Sequence, residues 1–133
     1  MNGTWVWEIA TGRLYTDAGD LLAIGYSGSP AYKNDIKAVS LHNEGPIPPG
    51  VYTIQAPRDT VTHGPYALPL EPSPSNVMYG RAGFLIHGDS VHAPGTASEG
   101  CIILPRAIRT EIWESGDHTL NVIEQAAPEQ LEA

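Results

Sequence analysis

Short runs of alternating apolar and polar residues recur along the chain, each closed by glycine, proline, asparagine or aspartate. Trp5-Val6-Trp7-Glu8-Ile9 is the first, and Thr11-Gly12-Arg13 reads as the turn after it. Leu14-Tyr15-Thr16 is the returning strand, and Leu21 to Tyr26 reads as a third strand. Residues 27–45 are rich in Ser, Gly, Asn and Lys and predict a long loop. Gly45-Pro46-Ile47-Pro48-Pro49-Gly50 follows; its prolines exclude helix and central strand, leaving a rigid turn that feeds the alternating strand Val51 to Gln55. A second loop runs from Pro57 to Gly64. Tyr66 to Leu70 then predicts an edge strand, and Glu71 to Asn76 a second proline-rich turn.

The apolar run Gly83-Phe84-Leu85-Ile86-His87 predicts a strand that ends on a histidine. A Gly/Ser/Pro-rich loop leads from Gly88 to Gly100, and Cys101-Ile102-Ile103-Leu104 is a short apolar element. Pro105 fits the first position of the one convincing helix, where its missing N–H costs nothing. Ile108, Ile112 and Trp113 give that helix an apolar stripe, with Arg106, Arg109, Glu111 and Glu114 expected outside. Ser115-Gly116-Asp117 ends it, and His118 to Glu124 is a last alternating strand. The pattern predicts one mainly β (β-rich α+β) domain over residues 1–125, a twisted sheet or small sandwich with one helix after Cys101. Residues 126–133 read as a loose tail.

Composition supports one globular domain. Of 133 residues, 41% are hydrophobic, enough for a core, and the 14 Gly and 12 Pro follow no period, so they mark turns. The net charge of −8 argues against nucleic acid and against anionic membrane surfaces as partners. It suits a cationic partner or a substrate with free amines, and it also serves plain solubility. A single cysteine excludes an internal disulfide. The first residues carry no basic and then apolar signal-peptide pattern, and no stretch approaches the roughly 20 apolar residues of a membrane span. The expectation is synthesis in the cytoplasm without a signal peptide, with any export left to a dedicated machine.

The segment from His87 to Cys101 carries the candidate chemistry. A cysteine nucleophile acts as thiolate, so it needs a nearby base; a histidine within hydrogen-bond reach supplies one. The acyl oxygen needs N–H donors where its negative charge develops. Gly100 lets the backbone turn sharply beside Cys101, and the N–H groups of Gly100 and Cys101 are candidate donors. Bland readings stand beside these. A lone cysteine is more often a small buried apolar side chain; His87 fits a core histidine, His92 a solvated one, and Asp89 a loop cap. His87, Asp89, His92 and Cys101 are also ligand types for zinc, but the paired cysteines of the zinc deaminases are missing. No Gly-x-Ser-x-Gly points to a serine hydrolase.

His87-Gly88, a Gly/Ser-rich loop and Ser98-x-Gly100-Cys101-Ile102 together resemble the signature of YkuD-type L,D-transpeptidases. The fourteen positions from His87 to Cys101 fall at the short end of that family's spacing, and His92 is closer still. Trp5-x-Trp7, Thr11-Gly12-x-Leu14, Tyr26-Ser27-Gly28, Gly45-Pro46-Ile47-Pro48-x-Gly50-x-Tyr52 and Phe84-x-Ile86-His87-Gly88-Asp89 resemble one branch of it. That branch is the L,D-transpeptidase-like effectors of type VI secretion, and the likeness covers most of residues 5–124.

The resemblance implies Cys101 as nucleophile and His87 as base. The substrate would be a peptidoglycan stem tetrapeptide, attacked at the L-centre of its third residue through a thioester, with no cofactor and no metal. Loss of the terminal D-alanine to water is carboxypeptidase action; capture by an amine is exchange or cross-linking. Ser98, Asp89 and Gly88 would support the loop or orient His87; Tyr26, Ser27, His92 and Arg106 would contact substrate. Delivery to the periplasm of a target bacterium, a cognate immunity protein and a secretion-machine component are implied as partners. Two positions depart from housekeeping members: Glu99 stands where a basic residue is usual, and Ile103 where an arginine often follows. Arg106 and Arg109 are candidates to replace that charge. A rival reading keeps the fold as an inactive peptidoglycan-binding or interaction module.

Overall fold

The structure is a computed structural model, and it describes residues 3–126. The alternating runs become ten strands: β1 (Thr4–Glu8), β2 (Arg13–Tyr15), β3 (Leu21–Ile24), β4 (Tyr26–Ser27), β5 (Gly50–Ile54), β6 (Arg58–Thr60), β7 (Gly64–Pro72), β8 (Leu85–His87), β9 (Ile102–Ile103) and β10 (Thr119–Ile123). A 3-10 turn at Ile36–Ala38 and one helix, α1 (Arg106–Glu114), complete the elements. The mainly β fold with a single helix after Cys101 agrees with the sequence pattern.

All ten strands belong to one mixed sheet, ordered β3-β2-β1-β10-β5-β7-β8-β9-β4, with β6 added on β7. β3 and β4 lie at opposite ends of that order, yet only Gly25 separates them in the chain. A sheet whose edges are joined through one residue has to roll until those edges meet. This is why Leu21 to Tyr26, read as one strand, is two. At Gly25 the chain leaves β2 and joins β9, and a Cβ there would sit 1.9 Å from the Ile103 carbonyl oxygen. Only glycine tolerates that approach.

β1 and β10 pair in parallel, with Trp5 opposite Leu120 and Trp7 opposite Val122. Alternation sends these four side chains, with Tyr52 and Ile54 of β5, into one core. Leu14, Leu68, Ile86, Ile102 and Ile112 join the same cluster, so the sheet and α1 share it.

Several expectations are corrected. The edge strand at Tyr66 to Leu70 is a nine-residue central strand that pairs with β5, β6 and β8. Its three prolines fall near its ends or past a pairing: Pro65 is its second residue, Pro69 lies one residue beyond the last β5 pair, Ile54 with Leu70, and Pro72 closes the strand. The loop at 57–64 contains β6, which makes a hairpin with β7. Pro105 caps α1 from outside rather than opening it. Arg109 is 4% exposed, not on the outer face. Its guanidinium donates to the carbonyls of Leu104 (2.6 Å), Tyr66 (3.0 Å) and Pro65 (3.2 Å), fastening α1 to β7. The predicted tail lies, past Ala126, outside the described residues.

Leu68→Ala should lower unfolding stability by about 2–5 kcal/mol, because the site is fully buried. Val51→Ala, on the exposed face of β5, should stay within about 0.5 kcal/mol of wild type. Urea denaturation followed by tryptophan fluorescence checks both; similar losses for the two would contradict this core.

Candidate active site

β8 and β9 run in parallel, with Ile86 opposite Ile102 and His87 opposite Ile103. Ile86 and Ile102 point into the core, each 1% exposed. Strand alternation therefore brings His87 and Cys101 to the other face of the same strand pair. The fourteen-position gap in sequence is the crossover between the two strands. Both residues line a cleft of about 460 Å³, together with His42, His63, Arg81 and Glu99. The Leu85 N–H points at Cys101 Sγ, 3.4 Å away.

Hydrogen bonds set the crossover loop. Ser98 Oγ accepts from the N–H groups of Gly28 (2.9 Å) and Gly100 (3.0 Å) and donates to the Cys101 carbonyl (2.6 Å). Ser27 Oγ donates to the Gly100 carbonyl (2.8 Å) and accepts from the Ile47 N–H (3.0 Å), which ties the Gly-Pro-Ile-Pro turn to the loop before Cys101. Tyr26 donates its hydroxyl to Asp89 (2.6 Å) and accepts from the Ala97 N–H (2.9 Å). Asp89 also accepts from the N–H groups of Ser90 and Gly95. At Gly100 φ is +138°, and a Cβ would lie 2.5 Å from Arg81 Nη2, so the glycine beside Cys101 is required twice over.

The protonation states follow from burial. His87 is 3% exposed and its Nδ1 lies 2.9 Å from the Gly88 carbonyl oxygen. A carbonyl only accepts, so Nδ1 carries the hydrogen and Nε2 the lone pair. That Nε2 is buried without a hydrogen-bond partner. Burial holds the His87 pKa below the ordinary histidine value; the Gly88 bond opposes this, and the His63 and Arg109 charges add to it. Burial also pushes the Cys101 thiol up to about 11, with the Glu99 carboxylate adding and the Leu85 N–H and Arg81 opposing. The resting pair is a thiol beside a neutral imidazole, not a thiolate–imidazolium pair.

Two residues of the cleft escaped the sequence reading. Arg81 is buried and donates to four carbonyls: Val39 (2.6 Å), Pro46 and Gly45 (2.8 Å each) and Glu99 (3.3 Å). It clamps the proline-rich turn to the loop before Cys101 and leaves a cation near Cys101 with no carboxylate partner among the described residues. A lone arginine between Gly80 and Ala82-Gly83, just before an apolar strand, was its only signal. His63 sits at the β6–β7 turn, its ring centroid 4.8 Å from that of His87. Reading residues 57–64 as plain loop hid it.

The predicted site residues divide into groups. His87 and Cys101 meet in the cleft. The carbonyl of Gly88, not Asp89 or Ser98, orients His87. The Gly100 N–H is bonded to Ser98 Oγ, which corrects its assignment as an oxyanion donor and leaves the Cys101 N–H as the candidate. Ser27 is fully buried and Tyr26 nearly so; they hold the loop from beneath rather than lining the groove. His92 is exposed on the crossover loop, away from the cleft lining. Arg106 lies over the Tyr66 ring, 5.0 Å from its centroid, and is not part of the cleft.

Alkylation of Cys101 by iodoacetamide in the folded protein should be slow at neutral pH. It should accelerate from the ordinary thiol pKa of 9.0 up to about 11, because raising the pKa delays thiolate formation. Equal rates at neutral pH and at pH 9 would contradict the thiol resting state.

A family model, the Tlde1 domain, matches residues 22–125. The match runs from β3 through β10 and includes every residue of the cleft. Among curated proteins none matches the chain. Tlde1 domains are L,D-transpeptidase-like effectors of type VI secretion. The cysteine and histidine of the cleft and the serine-glycine loop between them thus sit in a chain that belongs to the Tlde1 domain family of antibacterial type VI secretion effectors.

Proposed function

We propose that this domain is a peptidoglycan-modifying cysteine enzyme acting on stem tetrapeptides as an L,D-carboxypeptidase, an exchanging L,D-transpeptidase or both. The observation that carries the reading is the unpartnered, lone-pair-bearing Nε2 of His87 in the same cleft as the single thiol. As Sγ attacks the carbonyl at the L-centre of the third stem residue, His87 Nε2 takes the thiol proton. The Cys101 N–H faces the developing oxyanion, and the nearby Arg81 charge favours both thiolate and oxyanion. The protonated His87 then returns the proton to the leaving D-alanine amine, giving a thioester on Cys101. Water or the amine of a D-amino acid attacks that thioester, with His87 again as base.

Domain and partners complete the proposal. Residues 1–125 form the catalytic unit. The target is the periplasm of a competing bacterium, reached by the secretion machine, and a cognate immunity protein protects the producer. The rival, an inactive binding module of the same fold, is favoured by the setting of Cys101: burial, with the Glu99 carboxylate adding to it, raises the thiol pKa. A neutral base–thiol pair also reacts slowly with alkylating agents, so turnover is what separates the two readings.

Wild type, Cys101→Ala and His87→Ala are incubated with disaccharide-tetrapeptide, with and without a D-amino acid, and products are read by mass spectrometry. Loss or exchange of the terminal D-alanine should fall by at least about 10³-fold in both variants. Because burial lowers the His87 pKa from 6.5, the base stays neutral as pH falls through that value. The acid limb of kcat/KM should therefore lie below pH 6.5. Equal products from wild type and Cys101→Ala, or none from wild type, would remove the enzyme reading.

A further inference from the structure

One ring nitrogen of His63, one of His87 and Sγ of Cys101 lie within 4.8 Å of one another. They come from three places: the β6–β7 turn, the end of β8 and the residue just before β9. We infer that these three side chains bind a zinc-type divalent cation in the cleft, and that the bound ion silences the thiol.

The donor chemistry is the first argument. Two imidazole nitrogens and one thiolate sulfur form a borderline-soft set, suited to zinc and its neighbours rather than to magnesium or calcium. The second is the state of His87, whose Nε2 is buried without a partner on a ring 3% exposed. Its Nδ1–H is already fixed on the Gly88 carbonyl at 2.9 Å, the outer-sphere bond that holds a metal-binding histidine in one tautomer and orientation. Thr62 Oγ1 lies 2.9 Å from Nδ1 of His63, and with Nδ1 as the donor the Nε2 of that ring is left to ligate.

Geometry is the third argument. With zinc–nitrogen bonds of about 2.0–2.1 Å and a zinc–sulfur bond of about 2.3 Å, tetrahedral ligand atoms sit roughly 3.3–3.7 Å apart. The cluster needs to contract by about 1 Å, and His63, exposed on a hairpin turn, is the member free to move. His87 and Cys101 are set by the β8–β9 pairing and stay in place. Asp89, His92 and Glu99, the other metal-ligand types of the crossover loop, do not belong to the cluster.

Binding breaks the Cys101 S–H bond, forms a sulfur–metal bond and releases that proton to buffer, while both imidazoles enter neutral. The sulfur lone pair and the Nε2 lone pair are then both engaged, so neither attack nor proton transfer proceeds. The silencing rests on the proposed cysteine chemistry; the binding does not.

The test titrates Co²⁺ into the full chain, follows the sulfur-to-cobalt charge-transfer band in the near ultraviolet, and then displaces the cobalt with Zn²⁺. Wild type should take up one equivalent. Cys101→Ser should lose the band, and His63→Ala should bind at least about tenfold more weakly while circular dichroism shows an unchanged fold. No band at millimolar cobalt, or a His63→Ala titration equal to wild type, would overturn the proposal. None of these readouts needs peptidoglycan, so a failed metal site and a failed enzyme assignment give different results.

Discussion

The pairing of β8 with β9 is the constraint on which the site depends. Two short strands in parallel put His87 and Cys101 on one face while Ile86 and Ile102 anchor the other in the core. β9 has only two residues and would not hold this register alone. It is kept there by β4 on its outer side and by β7 beyond β8. The rolled sheet matters for the same reason: it brings Tyr26 and Ser27, from near the start of the chain, under the loop before Cys101.

Polar groups hold the rest of the site in place. Ser98, Ser27 and the Tyr26–Asp89 pair bond the crossover loop to β4, and Arg81 and Arg109 tie backbone carbonyls from separate segments together. Buried guanidiniums present five donors each, so one side chain satisfies several carbonyls that loops would otherwise leave unpaired. The cleft gains a positive edge from this, in a chain whose net charge is −8. Among the described residues Glu99 is the one carboxylate lining it.

Strand-forming runs and the His87–Cys101 pair were legible because each is local: a two-residue period, or a histidine and a cysteine bounding one loop. What was hidden depends on distant segments. The break at Gly25 exists because Ile103 passes close by, and the central place of β7 depends on where β5 ends. Arg109 looked exposed by helical periodicity, but carbonyls of β7 and of Leu104 draw it inward. Tyr26 and Ser27 were expected to contact substrate, yet burial gives them a supporting position that a motif does not reveal. His63 reaches the cleft only because residues 58–72 fold back as a hairpin.

Under the proposed function Cys101 forms a covalent bond with the stem peptide. Intact-protein mass spectrometry after rapid acid quenching of the protein with disaccharide-tetrapeptide tests this most directly. The expected result is an adduct of substrate minus D-alanine, mapped by fragmentation to Cys101 and cleaved by hydroxylamine as a thioester. An unmodified Cys101 under conditions where D-alanine is being released, or an adduct on another residue, would contradict it.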